Sequence, residues 1–396
     1  MPTPRRPVAT ALLLVASVAA TIGAFEAAAR WAMHGEPGAL FVAASVEPDP
    51  VRGWRHRPGA TGSYGHGSWA INRRGLRDFD RDIDPAPGVA RILILGDSFA
   101  EGFSVPFEAC VSQALERELR TAACPAEVVN GGTVGYSTDQ EYLFYRDEGA
   151  RYGARVVVLL FYHNDILYNA RGAVPGGVAK PLFTFTGGVA RVKNYPLTPP
   201  PRPERPRPWR GSAALTWARN RLREGAPRTY DLLARLRFWS PLDREPPLEL
   251  RVFAREPPEP VAQAWLQTEH LLQLLDSEVR RNGARLLVAY VPSKLEIDGA
   301  EWDRVRRRYE MDEQAWDRGR VARLLEETGR RFGFPVLDLT DALWQEARES
   351  GRAVYHPGGG HWNEAGHAVA AREIRRGVLE SGWRRCDGSP AGTPPR

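Results

Sequence analysis

The chain has 396 residues and a formal net charge of +6, enough for one large domain with insertions or for two small ones. Nearly all the positive charge is arginine, with only Lys180, Lys193 and Lys294 as lysines, and it is interleaved with acids along the chain. That pattern argues against nucleic-acid binding, and with neither a G-x-G-x-x-G run nor a Walker lysine motif, no cofactor is expected.

Val8 to Phe25 is almost wholly apolar, follows Arg5 and Arg6, and precedes Glu26 and Arg30. This is an export signal, and its length falls at the lower edge of what spans a bilayer. Ala27 to Ala29 offers a cleavage site, yet Glu26 and the length favour an uncleaved, single-pass transmembrane anchor over residues 1–33. Arg5 and Arg6 then stay inside, and the rest of the chain lies outside the cytoplasm at the cell membrane, periplasmic or extracellular. Export permits a disulfide. Cys110 and Cys124 flank one expected helix and stand too far apart to bridge, whereas Cys124 and Cys386 follow helices expected to be neighbours.

Residues 34–89, rich in glycine, proline and arginine, read as an extended strap anchored by Trp54, Tyr64, Trp69, Ile71 and Leu76. Alternating strand and helix signals follow over 90–380, which predicts parallel βαβ units. Strands are expected at 90–95, 127–130, 155–162, 284–291 and 335–339. Helices are expected at 106–121, from 138, and over 260–282, 316–332 and 364–379. Ser137 with Gln140, or Thr138 with Glu141, resembles a capping box. The expected fold is a flavodoxin-like three-layer α/β/α sandwich around a parallel sheet.

Between strands three and four lies an insertion at about 170–259, far longer than an ordinary connection. It holds a hairpin signal around Thr186-Gly187-Gly188, a polyproline-like run at 199–209 and a helical stretch at 213–239. A cap beside the active-site edge is expected, with a lipid-facing or partner-binding surface as the alternative. Residues 381–396 are a tail.

Four short segments follow strands one, two, three and five, so they converge at the carboxyl edge of the sheet. They are Ser98 after an apolar run, Gly135 in a glycine-rich turn, Asn164 in His163-Asn164-Asp165, and His361 in Gly360-His361-Trp362. A serine hydroxyl needs a base within hydrogen-bond reach, and a tetrahedral oxyanion needs fixed donors. The N–H groups of Ser98 and Gly135 and the Asn164 amide could supply the donors. Each residue alone has a structural alternative: a helix cap for Ser98, a left-handed turn for Gly135, a capped turn for Asn164 and a surface position for His361.

Taken together the segments resemble the SGNH hydrolases, also called the GDSL esterase/lipase family. Gly96-Asp97-Ser98 matches the nucleophile block, Gly135 the glycine block, Asn164-Asp165 the asparagine block and His361 the histidine block. An anchor, a GWR segment and an NxxGLR segment ahead of the serine resemble the membrane-anchored branch associated with bacterial surface polysaccharides. The resemblance implies Ser98 as nucleophile, His361 as base, and Gly135 and Asn164 as oxyanion donors. The expected function is an exported serine esterase or O-acyltransferase acting on acyl, chiefly acetyl, esters of carbohydrate. A lipase-like esterase at the membrane and a degenerate module that binds glycan are the alternatives.

Two departures stand out. Gly358 and Gly359 occupy the places where the family carries an aspartate ahead of the histidine. Three readings follow: a serine–histidine dyad, an acid from Asp338 or Asp341, or a weakened protein. His163 stands where the family often has glycine, lining the pocket or packing. His356, His361 and His367 lack the partners of a zinc site, so no metal is expected. Beyond an ester substrate, small or polysaccharide, and the membrane, the residues imply no partner.

Overall fold

The computed structural model describes residues 16–17, 20–29, 45–64, 67–121, 126–174, 177–197, 212–236, 245–357 and 359–380. Most of the apolar 8–25 segment, Cys124, Cys386 and the 199–209 proline run lie outside the described residues. Among the described residues, no helix is long and apolar enough to cross a membrane. The chain divides into two compact units, Met1–Pro37 with Pro201–Arg244, and Gly38–Pro200 with Glu245–Arg396.

The larger unit is an α/β fold with a parallel central sheet. The strap comes first, as two small hairpins: β1 (Val46–Asp49) with β2 (Gly53–His56), and β3 (Thr61–Tyr64) with β4 (Gly67–Ala70). β5 (Ala90–Gly96), β6 (Ala126–Asn130), β7 (Val156–Tyr162), β10 (Arg285–Val291) and β11 (Val336–Asp338) form the five-stranded sheet in the order β11-β10-β7-β5-β6. Every pairing in it is parallel. That is the doubly wound order with β5 at the switch point, where ligands meet such sheets. Between β7 and β10, β8 (Phe183–Thr186) and β9 (Val189–Val192) form the expected insertion hairpin. Its turn is Gly187-Gly188, with φ +58 and +77, the positive pair a tight hairpin requires.

Both faces of the sheet are covered, so its strands read as unbroken apolar runs. Leu93, Leu95, Val157, Leu159 and Phe161 face one core, together with side chains of the helices Thr138–Asp147, Glu259–Arg281 and Arg320–Phe332. Ile92, Ile94, Val158 and Leu160 face the other, with side chains of Val111–Thr121, Thr340–Glu349 and Glu364–Glu380. The alternation is the period-two geometry of a strand.

Local structure departs from the sequence expectation in three places. The first helix begins at Val111 rather than 106, because Pro106 opens a 3₁₀ turn at Phe107–Ala109 and Cys110 is extended. Ser137 caps nothing with its side chain; its hydroxyl donates to Asp139 Oδ1 at 3.0 Å, while a capping box forms instead at Ser293 and Glu296. The helix expected from Trp316 starts at Arg320, since Ala254 bridges Trp316 and holds it extended.

In the smaller unit, residues 20–29 are helical and the helices Ala213–Gly225 and Pro227–Arg235 follow from the insertion.

Candidate active site

β5 delivers Ser98 to the first position of the one-turn helix Ser98–Glu101. Asp97 caps that turn, its carboxylate accepting from Phe99 N at 2.9 Å. The buried guanidinium of Arg77 closes the other end, donating from Nη1 to Glu101 O (3.0 Å) and Gly102 O, and from Nη2 to Val105 O (2.8 Å). A short helix leaves its last carbonyls unsatisfied, and a cation at that end is favourable. The nucleophile turn is thus set by a strap residue.

Ser98 Oγ lies 2.8 Å from His361 Nε2, within reach for proton transfer. The His361 loop is held by its backbone: His356 N donates to His361 O at 3.0 Å, and Ser104 Oγ to Trp362 O at 3.0 Å. The His361 ring sits 5.1 Å from Phe99 and 4.9 Å from Phe103, centroid to centroid. Burial, helped by His356, pulls its pKa down to about 4, so the imidazole is neutral and free to accept a proton at neutral pH. Among the described residues, no carboxylate shifts it.

The two acids considered from sequence are elsewhere. Asp338 Oδ1 accepts from Thr340 N and Oγ1, and its charge bears on Tyr290 and Glu296. Asp341 is exposed in the first turn of Thr340–Glu349. Neither supplies the missing triad acid, and the reading that gave that role to Asp338 or Asp341 is corrected by their positions.

The glycine-rich turn runs beside the nucleophile turn. Gly131 N donates to Ile94 O (2.8 Å) and Thr133 N to Gly96 O (3.0 Å). A Cβ on Gly132 would fall 2.3 Å from Glu101 N, so only glycine permits this approach. Glu101, fully buried, accepts from Val134 N at 2.7 Å, with His56 Nε2 at 3.4 Å on the same oxygen. Gly135 follows with φ +74. The left-handed turn expected as its structural alternative is present. Trp54 underlies it, donating from Nε1 to Val134 O at 2.9 Å, and Tyr136 Oη donates to Trp54 O at 2.7 Å.

Asn164 opens the short helix Asn164–Asn169, and its side-chain amide bonds Asp97. Burial pushes the Asp97 carboxyl up to about 7. His163 packs rather than coordinates, its ring 4.2 Å from Tyr162 and 5.1 Å from Phe253, and burial lowers its pKa to about 4.

Beneath Asn164 lies a buried polar group that sequence reasoning missed. Lys180, from the insertion, donates to Asp139 Oδ2 and to Tyr168 O (2.8 Å) on the Asn164 helix. Asp139 N donates to Asn169 Oδ1 at 3.2 Å, and Thr138 Oγ1 to Asp165 Oδ2 at 3.2 Å. The Lys180 charge acts on both Glu141 and Asp165. Burial, and then neighbouring carboxyls, push both well above the ordinary carboxylate range. A single lysine amid proline and glycine gives no sequence signal of this; only its rarity in an arginine-rich chain was available.

Residues 94–369 match the profile of the GDSL-like Lipase/Acylhydrolase family. The chain belongs to this family. It is a hydrolase acting on ester bonds. Similar solved structures include TesA, at 11% identity and a TM-score of 0.37, covering 73% of this chain and 98% of that one. The acetyl xylan esterase AlAXEase is 12% identical with a TM-score of 0.38, covering 73% and 99%. An acetyl-xylooligosaccharide esterase from Geobacillus Stearmophilus is 14% identical with a TM-score of 0.38, covering 75% and 96%. No curated protein matches the chain.

Proposed function

We propose that this GDSL-family hydrolase cleaves or transfers short acyl esters of carbohydrate hydroxyls outside the cytoplasm, through a Ser98–His361 dyad on a chain anchored by its N-terminal segment. The 2.8 Å contact between Ser98 Oγ and a neutral His361 Nε2 carries the reading. Ser98 attacks the ester carbonyl as its proton passes to His361. The tetrahedral oxyanion is met by the N–H groups of Ser98 and Gly135 and by the Asn164 amide. His361 returns the proton to the departing alcohol, leaving an acyl-enzyme. A water, or an acceptor sugar hydroxyl, then attacks it with His361 again taking the proton, and Ser98 is restored.

The backbone bonds and the Phe99 and Phe103 rings that hold His361 support a base oriented without an acid. The short acyl group, chiefly acetyl, rests on the same family resemblance as the carbohydrate acceptor. The apolar 8–25 segment behind Arg5 and Arg6 supports export and anchoring. The carbohydrate acceptor rests on the resemblance of the GWR and NxxGLR segments to the anchored branch, and is the part most open to test.

The test is labelling by a fluorophosphonate probe alongside p-nitrophenyl acetate turnover, in wild type, Ser98→Ala and His361→Ala. Labelling and turnover lost in both variants are expected. A folded wild type that takes no label supports the non-catalytic, glycan-binding reading instead, for which the absent acid is the motive.

A further inference from the structure

The smaller unit joins the end of the N-terminal apolar segment to the insertion. Glu26 Oε2 accepts from Ser212 Oγ at 2.8 Å and from Ala214 N at 3.1 Å, so it satisfies donors at the start of Ala213–Gly225. Phe25 meets Trp217 edge to face at 5.8 Å. Two short helices from the middle of the chain are thereby fixed where an anchor would leave the bilayer.

Their exposed side chains are of two kinds. Leu215, Leu232 and Leu236 are 67%, 57% and 59% exposed, and Ile22 on helical residues 20–29 is 64% exposed. Arg219, Arg221, Arg228 and Arg235 are exposed among them. Leu215 with Arg219, and Arg228 with Leu232 and Leu236, recur at a spacing of four, so leucine and arginine share a stripe on each helix. Residues 201–237 hold ten arginines against Glu204, Glu224 and Asp231. The net positive charge of the whole chain therefore resides in this stretch. Arginine interleaved with large apolar side chains on short helices suits the boundary between phosphate headgroups and acyl chains. There guanidinium pairs with phosphate while leucine leaves water.

We propose that residues 212–236 form a collar that lies in the plane of a bilayer containing anionic phospholipid and binds it through Leu215, Leu232, Leu236 and the arginines between them. The inference deepens the anchored reading of the N-terminal segment and places the insertion at the lipid surface.

The experiment uses the full chain with nanodiscs of phosphatidylcholine alone or with phosphatidylglycerol. Association is read by co-elution, and the collar by hydrogen–deuterium exchange of peptides covering 212–236. Co-elution with both discs is expected, with exchange slowed several-fold only where phosphatidylglycerol is present. Leu232→Glu with Leu236→Glu, and separately Arg228→Glu with Arg235→Glu, should abolish that protection while p-nitrophenyl acetate turnover in detergent stays unchanged. Co-elution with phosphatidylglycerol discs alone supports the collar and removes the anchor. Co-elution with both discs and equal exchange in both removes the collar and leaves the anchor standing. A chain that elutes free of both removes both. Protection that grows with protein concentration in detergent, without lipid, identifies a second copy as the occupant and also overturns the proposal.

Discussion

His361 contacts Ser98 and Asn164 contacts the adjacent Asp97, but different forces hold them. The His361 loop is fixed by backbone hydrogen bonds, the fully buried Trp362 and two phenylalanine rings, with His356 the charge that bears on the imidazole among the described residues. The Asn164 helix rests on a buried ion pair and a cluster of buried carboxyls, with Lys180 reaching in from the insertion. The base side relies on apolar packing, which is graded and tolerant. The Asn164 side relies on buried charge, where loss of one partner leaves the other uncompensated.

Removing either reacting group should have the largest effect. Ser98→Ala or His361→Ala is expected to lower kcat by about 10⁶-fold, as in model serine enzymes where these residues act as a unit. A residual rate within a few-fold of wild type in either would dissolve the dyad. Next comes Lys180→Met, which strands Asp139 beside Glu141 and Asp165 in the interior. It should cost about 3–5 kcal/mol of stability in urea unfolding, and the surviving folded protein should show a lower kcat at little-changed KM. A loss below about 1 kcal/mol, the range of a surface pair, would mean the Asn164 side is not held by charge. Asn164→Ala should lower kcat by about 10²–10³-fold, the range for one oxyanion donor.

The four site segments were readable because each is local, a short motif such as the apolar strand, glycine and serine of 92–98. The parallel sheet was readable for the same reason, since strands buried on both faces show as unbroken apolar runs. What escaped was long-range. Arg77 and Trp54 are ordinary members of a glycine- and arginine-rich strap until Arg77 caps the Ser98 turn and Trp54 underlies Gly135. Lys180 sits in a turn segment far from Asp139 in sequence. Glu26 and Ser212 are separated in sequence by the strap and the first three strands of the central sheet, and no periodicity joins them. The capping box went to Ser293 rather than Ser137 because Asp139 claims the Ser137 hydroxyl.

The smallest effect is expected on the base side. Asp338→Asn should leave kcat/KM within about twofold, because Asp338 serves Thr340 and not His361. A loss approaching the 10⁴-fold of a removed triad acid would restore it to the triad.

The most direct test is the pH dependence of acylation by p-nitrophenyl acetate, followed as a single-turnover burst in wild type and in Asp97→Asn. His361 must be neutral to accept the Ser98 proton, so the rate falls as pH drops through the pKa of His361. Burial without a carboxylate sets that limb at about 4, and any inflection near 7 belongs to Asp97 and disappears in Asp97→Asn. A burst that survives at pH 5 in Asp97→Asn is the predicted result. A limb near 7 that persists in that variant would show a carboxylate raising His361, and would contradict a base held by packing alone.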